Sequence, residues 1–318
     1  MDPILPLARL GKSDVSLVGG KAANLGEILR AELPVPPGFV VTVGAYDGFL
    51  EATGVGADLD LLFHLEKAGE TRTGGTDEIR DLIANAEMPQ AIALAVTDAY
   101  QHMGAGPVAV RSSATAEDLA EASFAGQQDT YLNVQGEAQV LRAIQNCWAS
   151  LYGAHAVHYR AMAGFDQSDV RMAVVVQQMV QADRSGVMFT LNPVTNDNSQ
   201  VLIEAVYGLG EACVSGVVTP DMYIVEKVSG TVLDRQVQHQ DRQLVRRTVT
   251  APSGEFNEWV EIERERRSAQ KLGDEEIGRL AQLGARLEQH FGCPQDIEWA
   301  AEEGAFFIVQ ARPVTTLR

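Results

Sequence analysis

The stretch VAVRSSATAEDLAEASFAGQQDTYLNV, residues 108–134, is the part of the sequence from which we infer the fold. Its β-branched start, Val108–Val110, predicts a strand with Arg111 at its end, and Tyr131–Val134 predicts a second strand. Small residues, Gly126 among them, fill the loop between the two strands. A guanidinium offers a flat fork of donors to phosphate oxygens, and small residues let backbone N–H groups approach those oxygens. The pattern predicts a polyphosphate-binding loop, with a polar surface loop as the alternative that composition alone slightly favours.

The size and the composition of the chain are those of a globular protein. The 318 residues are enough for one large or two medium domains, and 46% of them are hydrophobic. The net charge of −18 argues against a nucleic-acid partner, because binding to phosphate backbones requires clustered Lys and Arg. An ATP site in so acidic a chain must be locally basic or must carry a metal ion.

Nothing in the sequence indicates export or a membrane segment. The first residues, MDPILPLARL, lack a basic region that leads into an apolar core, and no apolar stretch approaches the ~20 residues of a membrane helix. Cys147, Cys213 and Cys293 are far apart and form no metal-binding spacing. An odd, unpatterned set of cysteines is typical of reduced thiols, so we expect a cytoplasmic protein.

The segment VGGKAANLG, residues 18–26, predicts a turn that enters a helix, and this helix must end before Pro34. Lys21 is then close to the helix N-terminus, where unpaired N–H groups favour an anion. The GGK triplet is not a P-loop, because the GxxxxGK[ST] spacing is missing. On its own, Lys21 is more typical of a surface lysine than of a ligand-binding residue.

A run of apolar residues predicts a buried strand over Val174–Val180, and Gly186–Thr190 predicts the next strand. An apolar strand, a short linker and a further strand are consistent with the hinge of a two-lobed nucleotide site. Adenine would then bind backbone groups of Gln178, Met179 and Val180 and stack on the Met179 side chain. An ordinary core strand explains the pattern equally well.

The remaining segments predict a mixture of helices and short strands. Residues 46–103 are mostly helical in pattern, and apolar residues recur at helical spacing from Glu137 to Met162. Residues 234–270 are polar and predict a solvated surface, and a helix is expected from Asp274 to about His290. Further strands are predicted at Val201–Ala205, Met222–Val225 and Thr231–Leu233.

The segments PQDIEWA and FFIVQARP predict two strands of a terminal hairpin with a turn between them. Asp296 and Glu298 share a face of the first strand, and Gln310 and Arg312 share a face of the second. If the register joins those faces, carboxylate and amide oxygens supply a Mg²⁺ site completed by phosphates, and Arg312 binds a phosphoryl oxygen. The alternative, an exposed salt-bridged hairpin, explains the charges but not why Gln310 and Arg312 stand between apolar residues.

Several segments, in the same order and nearly end to end, resemble one family: VGGKAANLG, AVRSSATAEDLAEASFAGQQDTYLNV, SGVMFTLNPVT, YGLGEACVSGVVTPD and CPQDIEWA with FFIVQARPVTTL. They are similar to the ATP-binding domain of phosphoenolpyruvate synthase, pyruvate phosphate dikinase and rifampin phosphotransferase. The segments NCWASLYGAHAVHYR, VVVQQMV and CPQDIEW resemble rifampin phosphotransferase more than the synthase.

The resemblance implies an α+β, ATP-grasp fold. In such a fold residues 1–318 form a single ATP-binding domain, with ATP between lobe one, about 1–177, and lobe two, about 183–318. The loop over the phosphates corresponds to Ser123–Thr130, which includes Gly126. The other family positions for ATP and metal correspond to Lys21, Arg111, Asp296, Glu298, Gln310 and Arg312.

The resemblance also implies a reaction. Enzymes of this family transfer a phosphoryl group from ATP to a histidine on a separate swivelling domain, and their products include AMP and phosphate. Charge stabilisation during catalysis is thereby assigned to three cations, Lys21, Arg111 and Arg312. The binding of Mg²⁺ is assigned to Glu298 and Gln310, with Asp296.

The swivelling histidine has no counterpart in this sequence, because no histidine stands in the Gly-rich context that the family uses. The six are His64, His102, His155, His158, His239 and His290. An acceptor-binding domain is missing as well. We therefore expect a phosphohistidine domain or subunit as partner, with the small-molecule acceptor bound elsewhere.

Three functions remain open at this level. The chain is the phosphoryl-donating module of a dikinase-type phosphotransferase, or the ATP-binding subunit of a split enzyme such as phenylphosphate synthase. A non-catalytic ATP-binding regulator is the alternative from a different class. The acceptor, whether a rifamycin, pyruvate or a phenol, stays open.

Overall fold

The computed structural model describes residues 2–59, 61, 75–115, 130–153, 157, 170–248 and 255–314. The chain forms two compact units, each made of two segments. The first unit contains Met1–Gly26 and Pro37–Met179, and the second contains Glu27–Pro36 and Val180–Arg318. Both combine helices with an antiparallel sheet, as expected for the α+β class. No helix in the described part of the chain is long and apolar enough to span a membrane.

A five-stranded antiparallel sheet forms the centre of the first unit. Its strands are β1 (Ile4–Pro6), β2 (Gly38–Val41), β3 (Val108–Ala114), β4 (Thr130–Val134) and β5 (Met172–Gln178). Their order across the sheet is β1-β2-β5-β3-β4. β5 is central, and its first six residues are buried. This confirms the buried strand that the run of valines predicted.

Helices pack against this sheet or against one another and bury the largest side chains of the first unit. They are α1 (Val15–Arg30), α2 (Val43–Thr53), α3 (Gly75–Asn85), α4 (Gln90–His102) and α5 (Glu137–Ser150). Trp148 of α5 is fully buried, and its ring lies 4.9 Å from that of Phe49 on α2. The apolar face predicted for α5 is therefore a core face. The predicted extension of this helix to Met162 falls mostly outside the described residues.

β3 is longer than the sequence predicted, so Arg111 lies inside the strand and not at its end. Every residue of β3, from Val108 to Ala114, pairs with a residue of β5. Ser112 and Ser113 had been assigned to the small-residue loop, and that assignment was wrong. Both serines are fully buried in the sheet, where pairing with β5 outweighs their weak strand preference.

A six-stranded antiparallel sheet forms the centre of the second unit, and a two-stranded ribbon accompanies it. In chain order the strands are β6 (Arg184–Phe189), β7 (Gln200–Tyr207), β8 (Asp221–Glu226), β9 (Val232–Gln236), β10 (Arg242–Arg246), β11 (Asn257–Glu261), β12 (Gln295–Glu302) and β13 (Ala305–Pro313). The sheet order is β13-β12-β6-β7-β8-β9, and the ribbon is β10-β11. The helices of this unit are α6 (Glu211–Val214) and α7 (Asp274–Phe291).

The two faces of the six-stranded sheet differ. One face packs against α7, where a Cβ on Gly284 would lie 2.9 Å from the side chain of Met188 in β6. Side chains alternate along a strand, so the neighbours of Met188 point to the other side, which we call the second face. The second face carries half-buried side chains of both kinds: Val187, Phe189, Glu204, Met222, Ile224, Asp296 and Glu298.

The ribbon of β10 and β11 was not predicted. Residues 234–270 had been interpreted only as a polar, solvated surface, because charged residues dominate them. The ribbon is indeed largely exposed, and the guanidinium of Arg242 lies 4.7 Å above the ring of Trp259. Such cross-strand pairs stabilise two strands without a deeply buried face.

The short segment Glu27–Pro36 belongs to the second unit, whereas the sequence prediction placed it with the first lobe. Its polar contacts explain this position. Glu27 accepts from the Nε2 of His290 at 3.1 Å, and the carbonyl of Pro34 accepts from the N–H of Ile308 at 2.7 Å. Whether the two compact units are the lobes of an ATP-grasp fold stays a prediction.

Candidate functional site

Lys21 lies in the first turn of a helix that restarts after a break. Gly19 has φ 74° and ψ 169°, so the helical geometry of α1 is interrupted there. The Nζ atom of Lys21 donates to the carbonyl of Ser112 at 3.1 Å, which places the ammonium beside β3. The predicted position of Lys21 near a helix start agrees with this geometry, and its role in binding stays a prediction.

Ser113 joins α1 to β3 at this break. Its Oγ donates to the carbonyl of Val18 at 2.8 Å and accepts from the N–H of Ala22 at 3.2 Å. A Cβ on Gly19 would lie 2.2 Å from the carbonyl oxygen of Ser113, so only glycine fits here. Because side chains alternate along a strand, Arg111 points to the same side of β3 as Ser113. Sequence reasoning missed Ser113. The signal that could have found it is its position two residues after Arg111, which puts both side chains on the same side of a strand.

Arg111 and Thr130 are cross-strand partners. Arg111 is half-buried in the middle of β3, and Thr130 is exposed at the start of β4. The structure thus brings together three predicted residues, because Lys21 bonds to the carbonyl that follows Arg111. Two other predicted members of the phosphate loop, Ser123 and Gly126, lie outside the described residues.

The predicted hinge follows β5. Gln178 is the exposed last residue of the strand, and its N–H donates to the carbonyl of Pro37 at 2.8 Å. The N–H of Met179 donates to the carbonyl of Pro107 at 3.0 Å, and Val180 is buried. Two of the backbone donors proposed for adenine therefore already serve the fold, and a base would contact this segment through other groups.

The register of the terminal hairpin joins the two faces, which was the condition for the metal site expected from the sequence. Asp296 is opposite Arg312, and Glu298 is opposite Gln310. The Nε atom of Arg312 donates to Oδ2 of Asp296 at 2.9 Å, and its terminal nitrogen lies 2.9 Å from the same oxygen. The amide of Gln310 donates to Oε1 of Glu298 at 3.1 Å. Two carboxylates, one amide and one guanidinium thus converge on the second face.

The electrostatics of this group favour a bound cation. Burial raises the pKa of Asp296, Arg312 lowers it, and the nearby Glu298 raises it further. One guanidinium faces two carboxylates, and the oxygens of Glu298, Gln310 and Asp296 are the hard donors that Mg²⁺ prefers. Within the described residues no three His, Cys, Asp or Glu side chains form a metal-binding group. Any metal ion bound by these protein oxygens would need further ligands, such as phosphate oxygens and water.

Glu204 and Cys213 also belong to this region, and sequence reasoning missed both. The Sγ of Cys213, on α6, lies 3.9 Å from Oε2 of Glu204, in β7. Burial, Glu204 and Glu298 together raise the pKa of the Cys213 thiol to about 12. Burial also raises the pKa of Glu204, with a further rise from Asp296. A glutamate inside the apolar run VLIEAVY was the signal that could have found it.

A pocket of about 280 Å³ lies in the second unit beside the start of β6. Its polar lining consists of Gln181, Asp183, Gln243, Arg246 and Arg266. The guanidinium of Arg266 lies 4.6 Å above the ring of Tyr207, which holds it in place. Two guanidiniums and one carboxylate make this pocket locally basic in an acidic chain.

A model of one protein family matches residues 15–318, and its description is "Pyruvate phosphate dikinase, AMP/ATP-binding domain". The chain belongs to this family. The match to this AMP/ATP-binding domain family covers the segments that contain Lys21, Arg111 and the terminal hairpin. The resemblance inferred from the sequence is confirmed at this level, and ATP is the nucleotide that the family description names together with AMP.

Three relatives of the AMP/ATP-binding domain are similar over nearly the whole chain. A probable phosphoenolpyruvate synthase of Methanothermobacter thermautotrophicus is 46% identical over 97% of the chain and 45% of its own length. That of Methanocaldococcus jannaschii is 44% identical over 98% of the chain and 26% of its own length. The phosphoenolpyruvate synthase of Pyrococcus furiosus is 42% identical over 97% of the chain and 43% of its own length.

The chain therefore spans between a quarter and a half of the length of these curated relatives. All three carry the name phosphoenolpyruvate synthase, which supports the synthase side of the sequence prediction. The ranking that placed rifampin phosphotransferase first has no support from them.

Proposed function

We propose that the chain binds MgATP and donates a phosphoryl group, as the ATP-binding module of a phosphoenolpyruvate synthase-like dikinase. The observation that supports this most directly is the terminal hairpin. Its register puts Arg312 beside Asp296 and Gln310 beside Glu298 in a chain of the AMP/ATP-binding domain family. A salt bridge alone would not require the amide of Gln310 next to a second carboxylate.

The residues of the first unit bind phosphate oxygens in this proposal. Lys21 and Arg111 supply positive charge from one side of β3, and the Thr130 hydroxyl is a neighbouring donor. Ser123 and Gly126 contribute to the loop over the phosphates. Neutralising the triphosphate is the first requirement in a chain with a net charge of −18.

The residues of the second unit bind the metal and stabilise the charge that develops on the transferred group. Glu298 and Gln310, with Asp296, hold Mg²⁺, which when bound neutralises phosphate oxygens. Arg312 is oriented by Asp296 and donates to a phosphoryl oxygen, the role in which a preoriented guanidinium is most effective. The hinge at Gln178, Met179 and Val180 contacts the base.

The phosphoryl acceptor is a histidine supplied by a swivelling domain or subunit. The three described histidines each have a structural partner: His102 bonds to the carbonyl of Asp98, His239 to Ser268 and Asp241, and His290 to Glu27. ATP, water and the small-molecule acceptor together give AMP, phosphate and the phosphorylated acceptor: one phosphoryl group passes through the histidine to the acceptor, and water takes the other as phosphate. We propose pyruvate as that acceptor, in line with the names of the relatives; a rifamycin and a phenol are the competing acceptors.

The decisive experiment combines the chain with MgATP and the histidine-bearing domain of a phosphoenolpyruvate synthase. We expect AMP and acid-labile phosphohistidine to form together. Arg312→Ala should lower the rate about 100-fold while weakening ATP binding far less, because its role is in the transition state. Glu302→Gln, at the other end of β12, is the matched control and should keep the full rate.

Two outcomes separate the proposal from its competitors. If the chain binds ATP but no AMP forms with any histidine domain, it is a regulator and the proposal is wrong. If the chain does not bind MgATP at all, the assignment of the site fails as well.

A further inference from the structure

Glu204 lies in the same row of the second face as the proposed metal ligands. Glu298 pairs with Val187 across the β12–β6 ladder. The β6–β7 ladder has one constant register on both sides of Val187, with Ser185 opposite Val206 and Met188 opposite Ile203. That register puts Val187 opposite Glu204. Gln310, Glu298, Val187 and Glu204 therefore form one row across four strands.

The chain direction of β6 gives this row an orientation. Asp296 and Arg312 lie in the row on one side, opposite Phe189, at the end of β6. On the other side the strand leads back through Arg184 to Val180, which begins the second unit after the hinge. Glu204 shares its row with Glu298, so both lie nearer than Asp296 to the hinge end of β6, and Glu204 stands two strands away from Glu298 across the sheet.

The spacing separates Glu204 from the metal ligands. Two strand separations place its Cα about 9–10 Å from that of Glu298. Within the described residues Glu204 forms no metal-binding group with two other His, Cys, Asp or Glu side chains, so we leave it out of the proposed ligand set. Half-buried apolar side chains, Val187 and Met222, flank Glu204 in the row and leave its carboxylate as the polar group there.

We propose that Glu204 accepts hydrogen bonds from the ribose hydroxyls of ATP, given that this unit binds MgATP as proposed above. The ribose is the part of the nucleotide between the metal-bound phosphates and the base, which the hinge contacts. A carboxylate repels phosphates but is a strong acceptor for neutral hydroxyls. The Cys213 thiol, a weak donor, orients Glu204 through one oxygen and leaves acceptor capacity for two hydroxyls. Glu204 would therefore select ribonucleotides over deoxyribonucleotides.

The test is calorimetric binding of ATP, 2′-deoxyATP and 3′-deoxyATP, each with Mg²⁺, to the 318-residue chain. In the unaltered chain we expect at least one deoxynucleotide to bind about 10-fold more weakly than ATP, because it lacks a hydrogen bond to a charged acceptor. Glu204→Met should weaken the binding of ATP by a similar factor and leave the affinity for that deoxynucleotide unchanged. Glu204→Gln, which keeps one acceptor oxygen, should lie between the two.

Glu302→Met is the matched control on the same face and should keep the full preference for ATP. If the proposal is right, Glu204→Met still binds MgATP but no longer prefers ATP over the deoxynucleotide. If the ratio of the affinities for ATP and deoxyATP is unchanged in Glu204→Met, the role of Glu204 is overturned and the proposed function stays intact. An equal loss for ATP and both deoxynucleotides, with a higher Mg²⁺ requirement, makes Glu204 a metal-site residue and also overturns it. Absence of MgATP binding in the unaltered chain contradicts the proposed function itself.

Discussion

Lys271 and Asp221 form an ion pair that is completely excluded from solvent. The Nζ atom lies 2.8 Å from Oδ1 of Asp221, and both side chains are 0% exposed. The carboxylate also accepts from the N–H groups of Gln238 and Lys271 and from the hydroxyl of Tyr223. Its hydrogen-bonding capacity is thereby filled, and β8 is tied to the segment that leads into α7.

Lys271→Met should destabilise the chain by about 3–5 kcal/mol, because it leaves the Asp221 carboxylate buried without its counter-charge. Lys227→Met is the control, since the Lys227–Glu288 pair is more exposed. Its loss should lower the free energy of unfolding by about 1 kcal/mol or less. Urea unfolding followed by circular dichroism measures both. Equal losses in the two variants would contradict the role of burial.

Gly19→Ala should destabilise the first unit by about 2–5 kcal/mol. Its backbone lies in a region that is nearly restricted to glycine, and the new Cβ would meet the carbonyl of Ser113. Gly54→Ala shares the positive φ but adds its Cβ to open space, so we expect a loss of only about 1–2 kcal/mol. Thermal unfolding measures both losses, and a loss in Gly19→Ala no larger than that in Gly54→Ala would contradict the prediction.

Glu204→Gln should change how stability depends on pH. The folded chain raises the pKa of Glu204 above its ordinary value of 4.5, chiefly by burial, so the folded state binds the proton more tightly than the unfolded state. The contribution of Glu204 to the free energy of unfolding therefore falls as the pH rises from about 4.5 through the raised pKa. The Gln variant lacks this loss, and its unfolding free energy relative to the unaltered chain should increase across that window. A difference that is constant with pH would be evidence against the shift.

Cys213 should resist alkylation in the folded chain. A pKa of about 12, against an ordinary value of 9.0, leaves about a thousandfold less thiolate at pH 8, and the thiolate is the reactive form. Glu204→Gln removes one of the causes and should speed the reaction of Cys213 with iodoacetamide. Peptide mass spectrometry measures the rate, and the fully buried Cys147 should remain unreactive in both proteins.

The parts of the structure that depend on local pattern could be predicted from the sequence. The alternation in β12 and β13 was sufficient to place Asp296 and Glu298 on one face of the first strand and Gln310 and Arg312 on one face of the second, and the observed register joins these faces. A run of valines was sufficient for β5. In each case the side-chain period and a nearby turn fix the outcome, so no distant contact had to be known.

The parts that depend on distant contacts could not be predicted. Ser113 is 91 residues from Ala22, whose N–H it accepts, and nothing local indicates that pairing. Its burial in β3 follows from the ladder with β5, which also moved Arg111 from the strand end to the strand interior. Glu204 came near the proposed site only through the order of β12, β6 and β7, which a single sequence does not reveal.

The Ser113 hydroxyl has a consequence for Lys21. A lysine just after a helix break would ordinarily belong to a poorly ordered first turn. A ligand would then have to immobilise both this helix turn and the lysine side chain. Here the Ser113 hydroxyl forms hydrogen bonds to the backbone on both sides of Gly19 and so holds the interrupted helix together. The ammonium of Lys21 already donates to the Ser112 carbonyl. An anion that reaches Lys21 therefore meets a preorganised cation, and little conformational entropy is lost on binding.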